Sequence, residues 1–208
     1  MSADTATFDT GPDALRTLAK DEVVSLYQLD PGLKKLMVGA GWDVVGFETD
    51  AIDIDLCAFL LKPDGMTRMD EDFVFYNNEK SEDGTVEHRG DNRTGAGDGD
   101  DENILIDLAN IPFEISTIIL ALSVYDGDMR AQYFRNVRNL FVRLENAERG
   151  VELVRCGCDE LSEESGDATY AVVFALERDI TGWSVKAVCD FQKGGLHRLA
   201  SLYGIEPI

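Results

Sequence analysis

Basic residues are scarce in this chain: 19 Lys and Arg stand against 40 Asp and Glu in 208 residues, a formal charge of −21. The shortage argues against a nucleic-acid partner, whose phosphates need neutralising by Lys and Arg, and against an anionic membrane surface for the same reason. Histidine is scarcer still, with only His88 and His197, so Cys57, Cys156, Cys158 and Cys189 have little to complete a soft-metal set. The four cysteines read as free thiols. No stretch reaches the roughly 18 uninterrupted apolar residues of a membrane span, and the acidic opening MSADTATFDT lacks the apolar region of a signal peptide. The expectation is a soluble cytoplasmic protein with no membrane insertion.

What is present suffices for a core. Hydrophobic residues make up 44% of the chain, and runs such as ISTIILALSV can bury enough surface to offset chain entropy. Strand-like runs follow one another at 23–28, 35–40, 53–62, 73–76, 103–108, 116–125, 137–145, 151–158, 168–177 and 183–190, separated by Gly, Asn, Asp and Pro turn signals. Their β-branched and aromatic content, and period-two sets such as Val185, Ala187 and Cys189, favour strands over helices. An all-β sandwich or barrel follows. A short helix is expected at 194–204, where Leu196, Leu199 and Leu202 recur three apart before Gly204. Residues 1–20 read as a variable extension and 21–208 as one domain. Residues 77–102 form a long connection without strand character, and such loops are usually functional or disordered.

The acidity is concentrated. Residues 43–102 hold 18 acids and 5 bases, so this stretch carries −13 of the total. In AIDIDLCAFLL, Asp53 and Asp55 fall on one face of a strand. Two like charges about 4 Å apart repel by on the order of 4 kcal/mol at an effective dielectric near 20, unless screened or counter-charged. Nearby stand Asp70, Asp72, Asn77 and Asn78, then Asp91, Asn92, Asp98, Asp100, Asp101 and Glu102 among glycines. Carboxylates, amide carbonyls and exposed backbone carbonyls are the oxygen ligands of Ca²⁺, and their number and flexibility favour it over Mg²⁺. Local calcium loops fail on spacing. An EF-hand count begun at Asp91 puts Glu102 last but places Arg93, Gly95 and Ala96 where two ligands and a glycine belong. GAGDGDDEN has the flavour of a calcium nonapeptide but occurs once. A site must therefore be assembled from several segments.

From about Glu22 to the C-terminus, the motifs LDPGLKKLMVGAGWD, DIDLCAFLL, DEDFVFYNN, DGTVEHRGDNRTGAGDGDDE, FRNVRNLFVRL and GGLHRLASLYG resemble the TerD family of tellurium-resistance and stress-response proteins. The resemblance implies a β-sandwich of two antiparallel sheets, with acidic Ca²⁺-binding loops at one edge, in cytoplasmic bacterial proteins. Carried over by motif, Asp53, Asp55, Asp70, Asn78, Asp91, Asp98, Asp100, Asp101 and Glu102 are the implied ligand positions, with Asp43, Asp72 and Asn77 in support. Two ions are expected, although the sequence does not apportion the ligands between one site and two. The implied partners are calcium and other tellurium-resistance proteins, at a membrane-associated complex.

The chain departs from the family pattern at Leu56 and Cys57, where a small residue and serine are usual. Cys57 should face the same way as the carboxylates, as a buried thiol. His88 reads as a surface histidine with no nucleophile placed to partner it. Arg135, Arg138 and Arg143 are available to pair with acids. The expected function is a non-enzymatic Ca²⁺-binding stress protein. The alternative, prompted by slime-mould relatives that bind cyclic AMP, is cation-dependent binding or hydrolysis of a phosphoester or cyclic nucleotide.

Overall fold

The computed structural model describes residues 16–44, 52–91, 99–157 and 165–206. Alternating apolar positions in the strand-forming runs give each sheet an inward face, and two such faces close on each other. The first sheet has the order β1 (Val23–Ser25), β11 (Gly182–Gln192), β10 (Tyr170–Asp179), β7 (Thr117–Val124), β3 (Ile54–Leu61), β4 (Phe73–Val74). The second runs β5 (Val86–Asp91), β6 (Glu102–Asp107), β2 (Lys35–Val44), β8 (Val137–Asn146), β9 (Val151–Gly157). Every strand pairing is antiparallel, as the sandwich expectation requires. Between the sheets lie Leu36, Val38 and Ala40 of β2, Ile54, Leu56 and Ala58 of β3, and Val185, Ala187 and Cys189 of β11, the last three together as their spacing predicts.

The six-stranded sheet is buried on both faces, which explains why every residue of β3 is buried. Its outer face carries a second cluster built on Cys57, Phe59, Phe73 and Ile119. After the short helices α1 (Leu26–Leu29) and α2 (Gly127–Arg130), the C-terminal helix α3 (Gly195–Leu202) covers it with Leu199 and Ala200, while Leu202 is 47% exposed and so is not part of the buried stripe expected for it. Stacked rings extend the cover: Phe59 to Phe73 at 4.3 Å and Phe73 to Phe75 at 4.2 Å between centroids.

Three features differ from the sequence reading. The run 23–28 is strand only to Ser25, whose Oγ accepts from the Gln28 N–H at 3.4 Å and caps the short helix α1 (Leu26–Leu29). The connection 77–102, expected to lack strand character, contains β5, which pairs with β6. The stretch 16–20, assigned to the extension, is laid along β9: Leu18 is 3% exposed, and its N–H donates to the Arg155 carbonyl at 2.9 Å.

Candidate metal centre at the acidic edge

The carboxylates reach their places because β2 is thin. Gly39 and Gly41 lie on its outward face, and a Cβ on Gly39 would stand 2.2 Å from Asp100 Oδ2. A Cβ on Gly41 would meet Phe141 at 2.6 Å and the Gly99 carbonyl at 2.9 Å. Glycine at both positions lets the segment before β6 lie flat across the strand. Arg143 of β8 then clamps Asp100 with two parallel bonds, Nε to Oδ1 at 2.8 Å and Nη2 to Oδ2 at 2.9 Å. This contact, opposed by partial burial, raises the Arg143 pKa and keeps the cation charged.

The next two acids continue the same edge. The Asp101 N–H donates to the Ala40 carbonyl at 2.8 Å, and the Trp42 N–H donates to Asp101 Oδ2 at 3.0 Å, where the β2 to β8 register shifts between Gly41 and Asp43. Asp101 so extends the ladder past its last backbone pair. Glu102 points inward with Ile104 and Ile106, is 1% exposed, and meets His88 Nε2 at 2.7 Å. His88 is therefore a buried partner of Glu102 on β5, not the surface loop residue expected. Asp43 accepts a short bond from Asn139 Nδ2. Asp98 and the side chain of Asp91 lie outside the described residues.

A second set of acids lines a cavity of about 930 Å³ on the outer face of the six-stranded sheet. Asp55 contributes from β3, Ser123 from the paired position on β7, and Asp70, Asn77 and Asn78 from the segment around β4. Ser123 is 1% exposed, and its Oγ has no hydrogen-bond partner among the described residues. Tyr76 also lines the cavity; its phenol is pushed up first by burial and then by Asp55, Tyr125, Asp126 and Asp53. Asn78 uses its amide N–H groups as a brace, donating to the Phe73 carbonyl at 2.7 Å and the Glu71 carbonyl at 3.2 Å. At the rim, Asp126 holds a left-handed backbone with φ of 50°. The Asp53 carbonyl, two residues before Asp55, accepts from the Tyr125 N–H at 2.9 Å.

A family model of the TerD domain matches residues 15–203. The chain belongs to the TerD family. It is 40% identical over 189 residues to the tellurium resistance protein TerD of Serratia marcescens, covering 91% of this chain and 97% of that one. General stress protein 16U of Bacillus subtilis (strain 168) is 38% identical with the same coverage. A crystal structure of a telluride resistance protein (TerD) homologue from Streptomyces coelicolor A3(2) superposes with a TM-score of 0.67, covering 85% of this chain and all of that one, at 22% identity. The TerD fold and membership of a tellurium-resistance and stress-response family are thus established for this chain.

Within this TerD domain the structure brings Asp100, Asp101 and Glu102 to the β2 to β6 edge and Asp55, Asp70, Asn77 and Asn78 to the cavity. Cys57, between them, feels both: burial first, then Asp55, then Glu102, push its thiol well up. It is fully buried among Phe59, Phe73 and Ile119, and its Sγ donates to the Ala121 carbonyl at 3.5 Å, so it packs the outer face of the sheet. Asp72 stands apart from both groups. It is wholly buried, and its two oxygens receive Arg68 Nη2 at 2.6 Å, Arg68 Nε at 2.9 Å and the Arg68 N–H at 2.8 Å. No three His, Cys, Asp or Glu side chains among the described residues stand together as a ready coordination shell. Gly39, Gly41, Ser123 and Tyr76 were not singled out from the sequence. The spacing of the two glycines in VGAGW, opposite the side of Val38, Ala40 and Trp42, was the available signal.

Proposed function

We propose that this protein is a non-enzymatic Ca²⁺-binding stress-response protein associated with tellurium resistance, in which the ions organise the acidic edge into a surface for other resistance proteins. The carrying observation is that Asp55, Asp101 and Glu102 are 4%, 7% and 1% exposed. Carboxylates that deep are kept by pairing, hydrogen bonding or metal coordination. The donor set is hard: carboxylates, the amide oxygens of Asn77 and Asn78, and the buried Ser123 hydroxyl all suit Ca²⁺. Asp53, Asp55, Asp70, Asn77 and Asn78 would hold ion at the cavity. Asp43, Asp101 and Glu102 would do so at the edge, and Asp91 and Asp98 join the ligand set on the family motif alone. Asp100 and Asp72, both clamped by arginine, serve the scaffold.

The cavity disfavours the phosphoester reading, since its described lining contains Asp55, Asp70, Glu71, Asp126 and Asp128 but neither Lys nor Arg. A phosphate would meet like charge there. No helix among the described residues is long and apolar enough to cross a membrane, and the proposed setting is the cytoplasm. Thermal melts in Ca²⁺ and in chelator test the proposal. Ion at 100 times its dissociation constant should stabilise the fold by about 2.7 kcal/mol, and Asp55→Asn should shrink that gain. Superimposable melts with and without Ca²⁺ would remove the basis for it.

A further inference from the structure

We propose that Cys156 and Cys189 form a redox-active dithiol, a covalent modification site that closes into a cystine joining the two sheets when a hydroperoxide reaches it. Cys156 comes from β9 and Cys189 from β11, on opposite layers of the sandwich. Their sulfurs are 2.8 Å apart, well inside the roughly 3.5–4.0 Å of ordinary non-bonded heavy-atom contact. The backbone is bent to bring them there. Cys189 holds φ of +47° inside a strand, and the β10 to β11 register shifts between Val172 and Phe174, opposite it. Strain of this kind at a non-glycine residue persists where the surroundings impose it, and it clusters at functional positions.

A short segment bridges the two strands that carry the pair, one residue before Cys156 and two before Cys189. Residues 16–22 run as a strap from one sheet to the other. Arg155 donates its N–H to the Arg16 carbonyl at 2.8 Å and accepts from the Leu18 N–H, while Ala187 donates to the Glu22 carbonyl at 3.0 Å and accepts from the Asp21 N–H at 2.7 Å. Beyond these bonds the strap is anchored by Leu18 in the core and by the exposed Lys186 to Asp21 pair at 3.1 Å, which is weak in water; the Arg16 to Glu22 pair at 2.9 Å braces the strap internally. Under the strap, the Cys156 contact and then burial hold the Cys189 thiol well up, while Lys20 pulls it down. Lifting the strap weakens the burial and admits the oxidant.

The chemistry balances with a hydroperoxide as oxidant. One thiol displaces alcohol or water from the peroxide and becomes a sulfenic acid. The second thiol attacks that sulfur, its proton leaves with the hydroxyl as water, and the S–S bond forms. The two electrons lost by the sulfurs reduce the O–O bond.

The test exposes the reduced full-length chain to hydrogen peroxide, alkylates the remaining thiols and maps peptides without reduction. The expected result is a fall from four alkylated cysteines to two, a loss of mass equal to two hydrogens, and a peptide linking Cys156 to Cys189 that dithiothreitol releases. Cys57→Ser and Cys158→Ser should keep the link, and Cys189→Ser should abolish it. Because the wild-type map is itself decisive, poor folding of a variant does not blunt the test. Four alkylated cysteines, a link through Cys158, or sulfinic acid on either thiol without a link would each overturn the proposal.

Discussion

At Gly39, one missing methyl group sets where the acidic segment can lie. Replacing it with Ala puts a Cβ 2.2 Å from Asp100 Oδ2, so either Asp100 leaves its clamp with Arg143 or β2 moves. Overpacking of this kind costs about 1–3 kcal/mol. Gly39→Ala should lower the urea midpoint by a corresponding amount and weaken Ca²⁺ binding together with it. The same residue explains why the site was only partly legible. The sequence shows that Asp100, Asp101 and Glu102 are acidic neighbours, but not that consecutive acids take opposite fates. Asp100 goes to the outward face and Arg143, Asp101 to the Trp42 N–H, and Glu102 inward to His88.

Asp30 illustrates a carboxylate whose role is stability. It accepts from Asn146 Nδ2 at 2.7 Å, the Gly32 N–H at 3.0 Å and Arg149 Nη1 at 3.0 Å, joining the end of α1 to the turn after β8. The Asn146 bond first, opposed by burial and helped by the Gly32 and Arg149 contacts, holds its pKa below the ordinary value. A depressed carboxylate contributes stability that is complete above its unfolded value, about 3.9, and is lost as pH falls through the folded value. Asp30→Asn should therefore reduce stability at neutral pH and flatten the acid limb of the stability profile below about pH 4. Equilibrium unfolding across pH reads both effects.

Among the elements, α3 and β5 show what pattern can and cannot reveal. The Leu196 and Leu199 spacing and the glycines at 194 and 204 marked α3 within a residue or two, because local propensity and stop signals agree there. Leu199 is wholly buried on the outer face of the six-stranded sheet, and Leu199→Ala should cost about 2–5 kcal/mol, measurable by denaturant unfolding. An unchanged midpoint would mean that α3 does not cover that face in solution. β5 is hard to read in the sequence because one of its inward positions is His88, which is apolar in neither name nor scale, and becomes a core residue only through Glu102. Its alternation of Val86 and His88 against Glu87 and Arg89 is present, but it is hidden in a polar stretch. β3 was easier, since continuous apolar content bounded by Asp55 is what burial on both faces produces.

For the whole molecule, the formal charge of −21 describes the ion-free chain. Packing buried carboxylates at one sandwich edge opposes folding by self-repulsion, and bound divalent cations would relieve it. The TerD fold supplies the geometry by pairing β2 with β6 at Asp101 and Glu102 and by turning Asp55 of β3 into the cavity, so part of the charge of residues 43–102 becomes a local property of the proposed metal centre. Isothermal titration of Ca²⁺ into the chelator-treated chain tests this most directly. The account predicts saturable heat ending near two ions per chain, weakened by Asp55→Asn and far weaker with Mg²⁺; a flat titration with Ca²⁺ would contradict it.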